Sequence, residues 1–160
     1  PTSGLITAIL VGSIFGQRQK LQLWQTLDAL TPIFATLSIG LSLAHLAAGT
    51  AFGRPTTLPW GIELWNATRH PSQIYELIAS FLIFGWLWIR KSDSSSGGLL
   101  FLNFAALTAG ARLFLEAFRG DSTLVFGELR LAHVLAWAVL VVALSASESL
   151  RQKKTKPVTS

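Results

Sequence analysis

The amino-acid sequence predicts an all-α, polytopic integral membrane protein of about five transmembrane helices, with its N-terminus outside and its C-terminus cytoplasmic. Three observations carry that expectation. Of 160 residues, 51% are hydrophobic and only 13% charged, about half the charge of an ordinary soluble domain. The charges fall in blocks, separated by apolar runs that satisfy their backbone groups in lipid most economically as helices. The basic residues also alternate in sidedness along the chain.

Five segments follow in order. Gly4 to Gly16 comes first and is short for a hydrocarbon core of roughly 30 Å. Trp24 to Ala48 is the second; Pro32 kinks it or marks its early turn. Asp28, four residues before Pro32, is expected to cap or bond locally. The third runs from Ser72 to Ile89, with Pro71 at its entrance and Ser72 as its cap. Leu99 to Phe118 is the fourth, after the flexible turn "SDSSSGG", Ser92 to Gly98. Leu129 to Leu144 is the fifth. Residues 1–150 form one transmembrane domain, and residues 151–160 a basic cytoplasmic tail.

Arg18 and Lys20, Arg90 and Lys91, and Arg151, Lys153, Lys154 and Lys156 follow the first, third and fifth segments. The opposite side carries only Arg54, Arg69, Arg119 and Arg130. Positive residues prefer the cytoplasm, so the loops Gly53–His70 and Gly120–Glu128 face outward. Five tryptophans (Trp24, Trp60, Trp65, Trp86, Trp88) sit near the proposed boundaries, as interfacial aromatics do. There is no cysteine, which excludes disulfides, thiol catalysis and thiolate metal sites. Three scattered histidines make no metal site, so no metal and no other cofactor is expected. The net charge of +5 resides largely in a solvated tail, and no nucleic-acid partner is expected. The chain starts at Pro1 and has no methionine; removal of an initiator and a missing N-terminal part both fit.

The polar chemistry is concentrated in two strings. In "ARLFLEAFRGD", Arg112, Glu116 and Arg119 fall on one helix face. Charges within the bilayer cost roughly 2.5–3.5 kcal/mol each, so they need partners or water. One reading is a self-neutralising Arg112–Glu116 pair that holds helices in register. The other is a net-positive pocket near the outer leaflet, because arginine binds phosphate through a planar fork. In "RHPSQIYE", Arg69 and His70 either belong to a capped helix entry or add to that same cavity. His45 in "SLAHLAAG" reads first as a helix–helix hydrogen-bonder, and so does His133.

"GRPTTLPWG" (Gly53–Gly61), "RHPSQIYE" (Arg69–Glu76) and "ARLFLEAFRGD" (Ala111–Asp121) occur in this order. Together they resemble the prolipoprotein diacylglyceryl transferase family over nearly the whole chain, aligned to that family's C-terminal part. The resemblance implies a bacterial plasma (inner) membrane protein. It implies transfer of the diacylglyceryl group of phosphatidylglycerol to a lipobox cysteine thiol, with release of glycerol phosphate. It places Arg69, His70, Gln73, Tyr75, Arg112 and Arg119 at the lipid phosphate. It also matches Glu76 and Glu116, and Glu116 and His45 are the candidates for catalysis. Ser42, His45 and Thr50 stand where the family pattern has an arginine, an asparagine and a glutamate, and an early His-Gly-Gly is replaced by Thr2–Gly4. The first expectation is therefore a diverged, N-terminally short, catalytically degenerate member. It would keep an anionic-phospholipid site and serve as an accessory subunit beside other membrane subunits. The alternatives are an active phosphatidylglycerol–prolipoprotein diacylglyceryl transferase and a small transporter or channel.

Overall fold

A computed structural model describes residues 2–90, 97–120, 124–125 and 129–155. Five helices form in the expected places: α1 (Thr2–Arg18), α2 (Leu23–Ala48), α3 (Ser72–Arg90), α4 (Leu99–Glu116) and α5 (Leu131–Thr155). Helices α2 to α5 are each long and apolar enough to cross a membrane. Helix α1, at 17 residues, rises about 26 Å, a little less than the hydrocarbon thickness. Helix α2 continues through Pro32, and the Thr36 hydroxyl donates to the Pro32 carbonyl at 2.9 Å. Helix α5 runs to Thr155, well past the Leu144 expected as the end of the fifth segment, so Arg151 and the start of the basic tail are helical. The Ser92–Gly98 turn up to residue 96, most of the 120–128 loop and the tail beyond residue 155 lie outside the described residues.

Two elements were not expected from the sequence. Short antiparallel hairpins interrupt the loops: β1 (Ile62–Leu64) with β2 (Ala67–Arg69), and β3 (Leu124–Val125) with β4 (Leu129–Arg130). The first is closed by Trp65 and Asn66, at φ 55 and 59. That is the double left-handed turn whose twist suits a two-residue hairpin.

Helix α4 packs along α5, and α2 along α3, with α4 touching both α2 and α3. The small core of Ala35, Leu87 and Leu100 carries Ile83, Phe84 and Phe104 against it. The outward faces stay apolar: Leu82, Ile89, Phe114 and Val142 are 66–77% exposed. Bare patches of that extent are untenable in water and are what lipid covers.

Asp28 reaches beyond its own helix. Its carboxylate accepts the backbone N–H groups of Gly98 at 2.6 Å and Phe101 at 2.8 Å. It thus caps the N-terminus of α4 from α2, and it sits where the helix dipole favours an anion. The N-terminal ends of α2 and α4 therefore lie together, and the two helices run parallel. The loops that follow α2 and α4 then share the opposite end, where Gly53 pairs with Arg119 and Pro55 with Arg69. Asp28→Ala is expected to destabilise the fold by about 1–2 kcal/mol, and Asp28→Asn by less. Thermal unfolding in detergent checks the order.

Candidate functional site

The polar residues gather at the loop end of the bundle, and a short strap positions them. Helix α2 stops at Gly49, φ 63. The N–H of Thr50 returns to the His45 carbonyl at 3.1 Å, a left-handed helix stop that fixes His45 in the last turn. The strap, residues 49–70, then crosses to α3. Its backbone interlocks with the end of α4: Arg54 donates to the Phe118 carbonyl at 2.9 Å and Gly120 to Phe52 at 3.0 Å.

Much of "RHPSQIYE" fastens this strap. The Arg69 guanidinium donates to the carbonyls of Leu64 and Gly53 at 3.1 and 3.3 Å and stacks over Phe52. Ser72 does not cap its own helix; its hydroxyl donates to the Ala51 carbonyl at 2.6 Å. Gln73, fully buried, donates through Nε2 to the Thr50 carbonyl at 3.0 Å. Tyr75 accepts the Trp60 indole N–H at 2.9 Å, and His70 packs its ring against Tyr75 and Phe118.

Glu76, matched in the sequence but given no role, is the centre of the site. One oxygen lies 2.9 Å from His45 Nδ1, and the other 3.4 Å from Arg112 Nη1. Arg112 Nε lies 3.7 Å from Glu116, and Arg119 Nε 3.9 Å from the same Glu116 oxygen. Helices α2, α3 and α4 each contribute to this chain of charges. Two guanidiniums face two carboxylates, so the cluster is balanced when His45 is neutral. That corrects the net-positive pocket expected from α4 alone, because the spacing on one helix does not reveal a carboxylate arriving from another. Glu116 is 1% exposed and sits between its two arginines. Arg112 is the open member, with a side chain 36% exposed. It spends at most two of its five N–H groups on the carboxylates.

The single phosphate hollow expected from the sequence divides in two. A cavity of about 560 Å³ lies among α2, α3, α4 and α5, with Glu76 and Arg112 in its wall. A second, of about 550 Å³, lies between α3, α4 and the strap, with His70 and Tyr75 in its wall. Ala79, Ala111 and Leu115 line both and separate them. Arg69, Gln73 and Arg119 line neither. Where the resemblance expects an arginine, Ser42 is buried and faces Ser80 across 3.3 Å. Its small side chain leaves the first cavity open. Among the described residues no cluster of His, Asp and Glu has the makings of a metal site.

The family model "prolipoprotein diacylglyceryl transferase" matches residues 3–147. A phosphatidylglycerol–prolipoprotein diacylglyceryl transferase of Clostridioides difficile is 30% identical over 157 residues, covering 94% of this chain and 60% of the relative. One of Cutibacterium acnes is 32% identical, covering 88% and 52%. One of Acaryochloris marina is 29% identical, covering 82% and 52%. The chain spans little more than half the length of these relatives. With its membrane-crossing helices and its charged cluster at their loop end, the chain belongs to the prolipoprotein diacylglyceryl transferase family.

Proposed function

We propose that this chain works in the bacterial inner membrane in the transfer of a diacylglyceryl group from phosphatidylglycerol to the lipobox cysteine of a prolipoprotein. The observation that supports it is that Arg112 and Glu76 stand in the wall of a lipid-sized cavity, with His45 bonded to Glu76 behind them. The remaining N–H groups of Arg112 are suited to the phosphate of phosphatidylglycerol, and Glu116 and Arg119 hold Arg112 in place. His45 Nδ1 is bonded to Glu76, which leaves Nε2 as the proton acceptor when Nδ1 carries the hydrogen. The cysteine thiol gives its proton to Nε2. The sulfur then attacks the glycerol carbon that bears the phosphoester oxygen; the C–S bond forms and the C–O bond breaks. The bonding pair leaves on glycerol phosphate, whose charge Arg112 stabilises. His45 thus takes a base's place from a position where the family pattern has an asparagine. Relatives named as transferases favour this active reading over degeneracy.

The test is incubation of purified protein with phosphatidylglycerol and a lipobox peptide, with the peptide's mass as readout. Lipid-modified peptide is expected, and His45→Ala should slow its formation by about 100- to 10,000-fold. A second reading rests on Ser42 and Thr50 standing where charged groups are expected: an accessory subunit that binds the lipid beside other membrane subunits. Unmodified peptide from protein that still retains phosphatidylglycerol would select it.

A further inference from the structure

We propose that Phe101 and Phe104 gauge acyl-chain length, closing the first cavity so that it admits one lipid tail of about a leaflet's depth. The inference rests on the phosphatidylglycerol reading of the same site. Glu76 and Arg112 stand at the loop end of the cavity, and Phe101 and Phe104 at its far end. Along α4 the rise from Phe101 to Arg112 is about 16 Å. Half of a hydrocarbon core of roughly 30 Å is about 15 Å. A tail whose headgroup reaches Arg112 therefore ends at the two phenylalanines.

The walls between are cut back. Ser38, Ser80, Ala105, Ala109, Ala132 and Ala136 also line the cavity, so a chain has width to enter. The floor, by contrast, is built. Phe34 stands behind both rings, edge-on to Phe101 at 6.2 Å and stacked on Phe104 at 6.5 Å between centroids. Phe104 also packs on the buried core of Ala35, Leu87 and Leu100. The backbone of Phe101 is tied to Asp28. A floor backed by core and anchored by a cap yields little to a longer tail, because packed interiors resist added methylenes. The cation at the mouth selects an anionic headgroup; the aromatic floor sets the length.

The experiment is native mass spectrometry of the detergent-purified protein with an equimolar mixture of dilauroyl- and distearoyl-phosphatidylglycerol. Ala105→Phe raises the floor, and the bound ratio is expected to move toward dilauroyl by about tenfold. Phe104→Ala lowers it, and the ratio should move toward distearoyl. Because the two variants push in opposite directions, one that folds poorly leaves the other to decide. Variants that hold phosphatidylglycerol with the wild-type ratio would overturn the gauge and leave the lipid site standing. A wild-type protein that binds no phosphatidylglycerol, or holds phosphatidylcholine as well, would remove the lipid reading and the gauge with it.

Discussion

Replacing Arg112 with alanine is expected to lower the proposed diacylglyceryl transfer by about 100- to 1000-fold, the usual loss when a positioned charge-stabilising donor is deleted. Arg112 is the only arginine in either cavity wall among the described residues. It is also the link between Glu76 on α3 and Glu116 on its own helix. Deletion therefore acts twice. It removes the partner proposed for the phosphate, and it leaves carboxylates facing one another across a low-dielectric interior. Breaking a buried pair costs about 3–5 kcal/mol, and the partial exposure of Arg112 places it at the lower end. Arg112→Lys separates the two effects. A lysine keeps the charge between the carboxylates but has no planar fork. It should restore most of the unfolding temperature in detergent and little of the transfer rate. Equal recovery of both would mean that the charge at this position suffices and the planar fork has no part in transfer.

The largest effect on folding is expected at Gly53. A Cβ there would drive into the backbone carbonyl of His70, and Gly120 approaches the same strap from the other side. The obstacle is backbone, so no rotamer change relieves it. Gly53→Ala should destabilise the protein by about 3 kcal/mol and accelerate hydrogen exchange at the amides of Arg54, His70 and Gly120, whose bonds hold the strap. Gly85 is the control. A Cβ there meets nothing, and in mid-helix alanine outranks glycine by about 1 kcal/mol. Gly85→Ala should be neutral to stabilising.

These two positions mark how far the sequence is legible. The helices can be read from it because hydrophobic run length is a local property; the limits of α2, α3 and α4 fall within two residues of expectation. Glycine, proline and interfacial tryptophan show where the chain turns, but not how the strap folds. The hairpin depends on Trp65 and Asn66 taking left-handed angles, and the lock on Gly53 depends on the close approach of His70 and on a bridge to Arg119, 66 positions away. Asp28 reads in the sequence as a cap or a local bond, and for the same reason the helix it caps, which begins beyond α3, stays hidden. At the site, the i, i+4, i+7 spacing points to Arg112, Glu116 and Arg119 as neighbours, and they are, but α4 ends at Glu116 and Arg119 joins from beyond it, in a bridge to Gly53. It could not show Glu76 joining them, nor His45 meeting Glu76 from α2. A signal for Glu76 was present, a carboxylate entering an apolar helix at the same loop end as the arginines. Arg69 and Gln73 carried the same polar signal, and packing assigns them to the strap.

The claim on which the rest stands is that Arg112 and Glu76 persist among apolar helices because their cavity is wet and opens outward. The chain has no cysteine, so a single introduced thiol reports without background. Ser80 lies one turn below Glu76 on α3 and lines the same cavity. In intact cells, Ser80→Cys should be modified by a small membrane-impermeant thiol reagent applied from outside, and added phosphatidylglycerol should slow that modification. A thiol that reacts only after the cytoplasmic face is exposed, or that never reacts while remaining reactive in denaturant, would contradict both the sidedness and the lipid-filled cavity.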